Sequence, residues 1–487
     1  MSSIEPINLS LIAHTNVGKT TLARTLLGCD VGEVRDEAHT TSDATSHQLI
    51  DTPEGDVLLL WDTPGFGDSA RLLNRLKQQG NPIGWFLSEV WDRYQDRAFW
   101  LTQTAVRNVR DQADVILYLV NASEQPEDAG YLAPELAVLE WAGKPVIVLL
   151  NQTGQPRPPA IELQDEIRWR NALKQWTNIR DVLPMDAFAR CWVQEFSLFS
   201  AIARVLPADQ HTSFERLAAG WKSRRLKQFS EAIDALAQPI ARAACDSSPL
   251  PKKPFFNQLG ELIGRSQKEA KEATKAAVRT MGDRLEKDLR ESTVRLIDIH
   301  DLKGSAADKL HARLNDVSAS KAQLDAGKAA GLFAILTGAL SGLGADLMAG
   351  GLTFGGGMLV GAVLGAAGAA GVAKGVNVVR GTKESMLRWD DAFLDGLVIS
   401  ALMRYLAVAH FGRGRGEWQE SEYLPFWFDL VSKSVAARKM QLSKIWKLRD
   451  TDCNSSRLSA ELKPLLEEIT LALLRKLHPS EEKLSVE

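Results

Sequence analysis

The sequence predicts an α/β domain with a mainly parallel β-sheet, followed by a mostly α-helical region that contains a glycine-rich apolar hairpin. Up to about residue 205, short apolar runs alternate with helix signals, a pattern typical of a parallel sheet with connecting helices. From about residue 206 the strand signal disappears, and segments rich in Ala, Lys, Glu and Arg follow. We therefore expect four segments: the α/β domain 1–205, a helical region 206–328, the apolar hairpin 329–373 and a C-terminal helical region 374–487.

Composition and charge exclude several functional classes. A chain of 487 residues is long enough for two or more domains, and its net charge of −3 gives no overall attraction to nucleic acid. The four cysteines are far apart without a CxxC pair, and the eight histidines form no HExxH pattern. This argues for a reducing compartment and against a disulfide framework or a zinc site. The N-terminus, MSSIEPINLS, lacks the pattern of a secretory signal, so we expect the protein to begin in the cytosol.

The α/β elements follow from local patterns. Val115–Val120 and Val146–Leu150 are continuous apolar runs, as in strands buried on both faces. A hairpin is expected where two short strands flank the turn Thr52-Pro-Glu-Gly-Asp56. The remaining predictions are a first strand Ile7–Ala13, a helix Thr20–Leu27 that Gly28 ends, and the hairpin strands Ser46–Ile50 and Val57–Trp61.

A phosphate-binding loop is predicted at AHTNVGKTT, which follows the first strand and opens the first helix. In this context Lys19 would bridge the β- and γ-phosphates of a nucleotide, and the Thr20 hydroxyl would bind Mg²⁺. Backbone N–H groups at the helix N-terminus favour phosphate. Ala13 stands where such loops usually have their first glycine. Alanine fits at this position if its φ is negative. The residues expected to contact phosphate are Asn16, Val17, Gly18, Lys19, Thr20 and Thr21.

A second motif, WDTPGFGDS, follows the strand Val57–Trp61. We expect Asp62 to hold Mg²⁺ through water and the Gly65 N–H to contact the γ-phosphate. The polar segment between the two motifs, EVRDEAHTTSDATS, is where a switch loop with a Mg²⁺-binding threonine belongs. Thr41 is the first candidate and Thr40 the second, and a plain surface loop is the alternative.

These motifs, in this order and with a strand that ends at Asn151, resemble the Era/TrmE branch of P-loop GTPases over residues 7 to about 190. The whole chain is similar to bacterial Era-like GTPases that carry a long C-terminal helical domain of unknown function. The resemblance implies Mg²⁺-dependent GTP hydrolysis, with a K⁺ ion held at Asn16. Phe66 occupies the place where Ras-type enzymes have a water-orienting glutamine, so catalytic help must come from elsewhere.

Base recognition departs from the usual Asn-Lys-x-Asp pattern, because the strand VIVLLNQTG ends in Asn151, Gln152 and Gly154. Gly154 has no carboxylate for the guanine N1–H and N2–H₂ groups. In the later segment VLPMDAF, the Ala187 N–H would face the guanine O6 and the Asp186 carboxylate would replace the missing one. The alternative is that Asp186 caps the following helix. We predict a preference for GTP over ATP on the order of tenfold only.

The C-terminal region contains three informative segments. Arg265–His300 predicts a long charged helix, either a solvated packed helix or a stalk or coiled-coil arm. From Ala329 to Ala373 the only charged residue is Asp346, and lysines and arginines flank the segment. This predicts a membrane-inserted hairpin with both ends cytoplasmic, and a buried Gly/Ala-rich hairpin is the alternative. Lys433–Arg449 is either an ordinary packed helix or a helix that contacts anionic lipid.

Together these observations predict a slow GTPase switch coupled to a membrane-associating helical domain at the cytoplasmic face of the inner membrane. The expected partners are GTP and GDP, membrane lipid, an unidentified protein and a second copy of the chain, with no strong signal for nucleic acid. Two alternatives stay open. One is a dynamin-like membrane-remodelling NTPase, and the other is a non-hydrolysing nucleotide-binding module that docks a partner. An RNA or ribosome role ranks third, because the C-terminal region is not strongly basic.

Overall fold

The computed structural model describes most of the chain. The described residues are 5–28, 44–78, 97–153, 157–187, 191–250, 260–301, 376–380, 385–410, 425–451 and 453–479. These residues belong to two compact units. The first comprises Met1–Lys227, Ala409–Gly416 and Arg475–Glu487, and the second comprises Gln228–Val408 and Glu417–Leu474.

A six-stranded sheet forms the centre of the first unit, with the order β2-β3-β1-β4-β5-β6. Only the β2–β3 pair is antiparallel, so the prediction of a mainly parallel sheet is confirmed. The antiparallel pair is the hairpin expected around Thr52–Asp56. The strands are β1 (Ile7–Ala13), β2 (Thr45–Asp51), β3 (Val57–Asp62), β4 (Val115–Asn121), β5 (Val146–Asn151) and β6 (Ile179–Pro184).

Both faces of this sheet are covered, which explains why β4 and β5 are apolar throughout. Successive residues of these strands point to opposite faces, and alternate residues such as Leu117 and Tyr118 belong to two different hydrophobic clusters. Helices cover both clusters: α1 (Lys19–Leu27), α2 (Ser69–Gln78), α3 (Arg97–Asp111), α4 (Leu132–Ala142), α5 (Pro159–Leu173) and α6 (Val193–Val205). The long helix α7 (His211–Cys245) follows, and its Phe214, Leu217 and Trp221 join the cluster that contains Leu117.

The second unit is mainly helical. Its helix α8 (Gly260–Ile299) confirms the long helix that the sequence predicts and begins somewhat earlier. Leu285, Leu289 and Leu296 are buried along it, which agrees with a packed amphipathic helix rather than a free arm. The helices after residue 390 are α9 (Asp391–Ala409), α10 (Pro425–Ala436), α11 (Lys439–Lys447) and α12 (Ser455–Leu477).

The second unit also contains a small antiparallel sheet that sequence analysis did not predict. Its strands, in the order β7-β9-β8, are β7 (Ser247–Leu250), β8 (Val376–Arg380) and β9 (Ser385–Trp389). Strands of four or five residues are too short to show a clear alternation of apolar and polar side chains. Pro249 lies on the edge strand β7, where a residue without an N–H group is tolerated. The expectation that strands end at residue 206 is therefore wrong.

A disulfide joins Cys245, at the end of α7, to Cys453, just before α12. The two Cα atoms lie 5.4 Å apart, a usual separation for a disulfide. The sequence argument against disulfides is wrong at this pair, because it rested on spacing along the chain and the two residues are 208 positions apart. A disulfide between distant residues leaves no local pattern.

Two helices bear on the membrane prediction. In the part of the chain that the structure describes, Asp391–Ala409 is the one helix long and apolar enough to cross a bilayer, but 78% of that stretch is buried inside the structure. In α11, the side chains of Leu442, Ile445 and Trp446 are buried, as expected for an ordinary packed helix. The predicted hairpin 329–373 lies outside the described residues.

Candidate functional site

The loop between β1 and α1 takes the conformation needed to direct backbone N–H groups at one point. Asn16 and Gly18 have left-handed φ values of 67° and 92°. Gly18 is required for a second reason, because a Cβ there would lie 2.9 Å from the Asn151 Nδ2. Ala13 is outside the left-handed region and is fully buried at the end of β1, so alanine is compatible with this loop. The loop can therefore bind an anion at the N-terminus of α1.

Three side chains predicted to act together lie together at this helix N-terminus. The Thr20 Oγ1 donates a hydrogen bond of 2.8 Å to the Asp62 Oδ2, which joins α1 to the end of β3. Lys19 is only 7% exposed and interacts electrostatically with Asp62. No donor among the described residues reaches the Asp62 Oδ1, although that atom is buried.

The chemistry of these groups fits a hydrated Mg²⁺ ion. Magnesium prefers oxygen ligands and usually keeps several waters. The Thr20 hydroxyl is one such ligand, and the Asp62 Oδ1 is a buried acceptor that a metal-bound water would satisfy. A buried carboxylate oxygen without a donor is costly otherwise.

Burial governs the electrostatics of this pair. Desolvation lowers the pKa of the Lys19 ammonium, and the nearby Asp62 and Glu135 carboxylates oppose that shift. Desolvation also raises the pKa of Asp62, and Lys19 and the Thr20 hydrogen bond oppose it. A buried charge without a partner destabilises the protein, so the charged forms of Lys19 and Asp62 stabilise each other. A bound phosphate or metal ion would stabilise them further.

The segment after β3 contacts the phosphate loop directly. The Phe66 N–H donates to the Ala13 carbonyl at 2.9 Å, and the Thr15 N–H donates to the Phe66 carbonyl at 3.3 Å. A Cβ at Gly65 would lie 2.9 Å from the Lys19 Nζ and 3.1 Å from the Thr15 Cα. Glycine is therefore needed for this approach. The Phe66 side chain is fully buried in the hydrophobic core.

Asn151, at the end of β5, connects two loops. Its Nδ2 donates to the Val17 carbonyl at 2.6 Å, and its Oδ1 accepts from the Ala187 N–H at 2.8 Å. The neighbouring Gln152 has a φ of 55° and donates from its Nε2 to the Asn16 carbonyl at 3.3 Å. The two amide side chains thus fix the phosphate loop and the loop after β6 relative to each other.

Asp186 lies beside the end of β5, as the sequence argument requires. Its Oδ2 accepts hydrogen bonds from the Thr153 N–H at 2.8 Å and from the Thr153 Oγ1 at 2.7 Å. The next described helix, α6, begins at Val193, and its N-cap residue Trp192 provides no side-chain cap. Asp186 therefore stabilises the loop after β5, and its part in base recognition stays a prediction.

Sequence analysis missed a buried network behind the phosphate loop. The Glu135 carboxylate, fully buried on α4, lies 2.7 Å from the His14 Nδ1 and accepts a 2.7 Å hydrogen bond from the Tyr118 hydroxyl. The His14 ring stacks on Tyr131 with centroids 4.4 Å apart. Burial raises the pKa of Glu135, and its contacts with His14 and Tyr118 oppose the shift. A glutamate inside the apolar segment LAPELAVLEWA was the available signal.

The structure brings most predicted residues to one edge of the sheet. Thr20 is hydrogen-bonded to Asp62, and Lys19 interacts electrostatically with Asp62. The adjoining loops are formed by Asn151, Gln152, Asp186 and Ala187. Thr41, Thr40 and Gly154 lie outside the described residues, so their roles stay predictions. The direct nucleotide contacts assigned to the other residues stay predictions as well.

Two families of known proteins match different parts of the chain. Residues 8–152 match the family described as 50S ribosome-binding GTPase, so the N-terminal domain is a P-loop GTPase domain. Residues 170–468, more than half of the chain, match the family described as Domain of unknown function (DUF3482). No curated protein matches the chain.

Solved structures of GTPases resemble part of the chain. A crystal structure of Aquifex aeolicus Era bound to GDP·AlF4⁻ is 21% identical with a TM-score of 0.31, and the match covers 42% of this chain and 57% of that one. Era in complex with MgGDPNP and 16S ribosomal RNA is also 21% identical, with a TM-score of 0.30 and coverage of 42% and 58%. A bacterial selenocysteine-specific elongation factor is 18% identical, with a TM-score of 0.24 and coverage of 36% and 25%. The match thus spans somewhat more than half of each Era chain.

Proposed function

The chain belongs to the DUF3482 family, and we propose that it is a guanine-nucleotide switch that hydrolyses GTP slowly to GDP and phosphate. The observation that carries the proposal is the contact between Thr20 and Asp62 beside the buried Lys19, at the N-terminus of α1. Few functions other than binding a nucleotide polyphosphate with a divalent cation explain a buried lysine, a buried carboxylate and an anion-binding loop at one point.

Each residue has a role in the proposed mechanism. Lys19 and the N–H groups of the loop bind the β- and γ-phosphates and stabilise the negative charge that develops on them. Thr20, Thr41 and Asp62 would hold Mg²⁺. When bound, Mg²⁺ neutralises phosphate charge and orients the γ-phosphate. The Gly65 N–H contacts the γ-phosphate. When hydrolysis removes this phosphate, the segment that follows β3 is released.

Slow turnover follows from Phe66. A buried phenylalanine cannot orient the attacking water, and the chain supplies no identified glutamine at that place. We expect a monovalent cation at Asn16 to provide part of the missing charge, as the Era/TrmE resemblance implies. The left-handed backbone at Asn16 suits glycine equally, so Asn16→Gly removes the amide without straining the loop. Hydrolysis should be faster in K⁺ than in Na⁺, and Asn16→Gly should abolish the difference. Equal rates in both salts would contradict a role for K⁺.

Lys19→Ala tests the central proposal. Nucleotide binding should fall below detection for both GTP and GDP, because the phosphates lose their buried cationic partner. Equilibrium binding of a fluorescent GTP analogue and a phosphate-release assay measure the effect. Lys174→Ala, at an exposed lysine after α5, is the matched control. Unchanged binding by Lys19→Ala would refute the phosphate site. If the wild-type protein binds nucleotide in the presence of Mg²⁺ but releases no phosphate, the non-hydrolysing module is favoured.

We also propose that the helical domain associates with membrane through residues 329–373. The support is the sequence alone: a long apolar segment with basic flanks. Full-length protein should then sediment with membranes, and deletion of 329–373 should release it while nucleotide binding persists. Full-length protein that is soluble without lipid or detergent would contradict the proposal. Nucleotide-dependent assembly on liposomes would instead favour a dynamin-like remodeller.

Ribosome binding, which the description of the family matched by residues 8–152 names, is not part of the proposed function. The chain has a net charge of −3, and a protein that binds RNA through its phosphates needs a basic surface.

A further inference from the structure

Three potential metal ligands lie together in the first compact unit, away from Lys19 and Asp62 in sequence. The Sγ of Cys191 and one ring nitrogen each of His410 and His478 all lie within 4.8 Å of one another. The three residues belong to chain segments far apart in sequence. Cys191 and His410 are buried, and His478 is partly buried.

Local structure explains how the three side chains converge. Cys191 precedes α6, and its N–H donates to the Gln194 Oε1 at 3.0 Å, which fixes the turn. His410 follows the end of α9, and His478 follows the end of α12. The two imidazole rings stack with centroids 5.2 Å apart and an angle of 17° between their planes. Fixed, buried ligands of this kind lower the entropic cost of binding an ion.

The arrangement of the two histidines fits either an N–H···N hydrogen bond or two ligands of one cation. Their Nε2 atoms lie 3.0 Å apart. Two Nε2 lone pairs at this distance repel each other unless one nitrogen donates a proton or both nitrogens share a cation. Two ligands of a tetrahedral Zn²⁺ ion, with Zn–N bonds of about 2.0–2.1 Å, stand about 3.3 Å apart. The observed distance is thus close to the separation that shared coordination requires.

We propose that Cys191, His410 and His478 bind a zinc ion. One thiolate and two imidazoles form a donor set that suits Zn²⁺ and disfavours Mg²⁺ and Ca²⁺, which prefer oxygen. The three protein ligands leave a fourth position for water or another donor. The sequence argument against zinc rested on CxxC and HExxH spacings, and ligands from three distant segments escape both patterns.

The position of the site gives the ion a structural role. Cys191 lies four residues after Ala187, whose N–H binds Asn151. A metal bond at Cys191 would limit movement of the chain that continues from Asp186 and Ala187. This inference does not depend on the proposed GTPase activity, because it concerns binding of the metal alone.

Metal analysis and cobalt spectroscopy on the full-length protein test the proposal. Protein purified without chelators should contain about one zinc per chain, as a three-ligand site requires. Titration of chelator-treated protein with Co²⁺ should give a thiolate-to-cobalt charge-transfer band, because Cys191 would be a direct ligand. Cys191→Ser should abolish that band, and His478→Ala should reduce the zinc content to near zero. Cys29→Ser and His47→Ala are matched controls and should behave like wild type.

The readouts separate a failed fold from a failed proposal. If the ligand variants do not fold, as judged by circular dichroism, the wild-type titration still decides the matter. A wild-type protein that binds no cobalt, or that binds it without a thiolate band, overturns the proposal and leaves a hydrogen-bonded histidine pair. A band that persists in folded Cys191→Ser overturns it as well.

Discussion

At the scale of single residues, Asp186 is the side chain on which we expect base selectivity to depend. It lies beside the loop after β5, where the sequence lacks the usual carboxylate at position 154. In the structure its Oδ2 accepts two hydrogen bonds from Thr153. Its place beside this loop is the reason we predict that the carboxylate also accepts from guanine.

We predict that Asp186→Ala lowers the GTP preference over ATP from about tenfold to near unity, because the guanine donors lose their acceptor. Competition binding of GTP and ATP measures the ratio. Asp186→Asn keeps an oxygen for Thr153 and removes the charge, so it distinguishes loss of recognition from loss of loop structure. Asp128→Ala, at an exposed aspartate, is the control. A strong GTP preference that survives both substitutions would remove Asp186 from base recognition.

Local motifs explain which residues of the site were predictable. Lys19, Thr20 and Asp62 stand in short patterns whose meaning depends on a few neighbours and on the preceding strand. The partnership of His14 and Glu135 spans 121 positions, so no local pattern contains it. The same limit applies to Cys191, His410 and His478, which only the folded chain brings together.

At the scale of elements, an ion pair connects the hairpin β2–β3 to α7, beside the hydrophobic cluster that the two elements share. Arg216 of α7 forms a bidentate contact with the Asp56 carboxylate, with distances of 2.6 and 2.7 Å. Asp56 also accepts a hydrogen bond from Thr52 across the turn. The hydrogen bond from Arg216 holds the pKa of Asp56 well below its ordinary value of 3.8, although burial opposes the shift.

This shift gives the ion pair a defined pH dependence. A carboxyl group whose pKa is lowered in the folded state stabilises the protein above its ordinary pKa, and that contribution is lost as pH falls through the lowered value. We predict that Asp56→Asn reduces the melting temperature by several degrees at pH 7 and that the difference from wild type shrinks in acid below pH 3.8. Thermal unfolding across pH measures it, with Asp51→Asn on the same hairpin as control. A difference that is constant with pH would contradict the assignment.

The helices and strands that the sequence predicts are those that are long or that carry a motif. The strand at Ile7–Ala13 and the helix after Gly18 have clear patterns, and their bounds agree with the structure. The sheet of β7, β8 and β9 was not predicted, since each strand is short and its partners are distant. Such pairing depends on the tertiary structure rather than on local propensity.

At the scale of the whole molecule, a disulfide joins Cys245 and Cys453, two residues of the second unit that are 208 positions apart in the chain. A crosslink over a long loop restricts the unfolded chain more than one over a short loop. Thiols are usually kept reduced in the cytosol. A disulfide is therefore not expected at the cytosolic location that the sequence predicts.

We predict that the double variant Cys245→Ser/Cys453→Ser lowers the free energy of unfolding by about 2–4 kcal/mol under oxidising conditions. Denaturant unfolding with and without a phosphine reductant measures it, because reduction should bring wild type to the level of the variant. Cys29→Ser is the control and should respond to the reductant as wild type does. Wild-type stability that reductant leaves unchanged would show that the crosslink contributes nothing to stability.

The hydrogen bonds of Asn151 have a consequence for how the two sides of the site depend on each other. One amide side chain contacts both the phosphate loop, at Val17, and the loop after β6, at Ala187. The arrangement of the phosphate loop therefore constrains Asn151, whichever residue stands at position 154. A substitution at position 154 can change the choice of base while these two contacts persist.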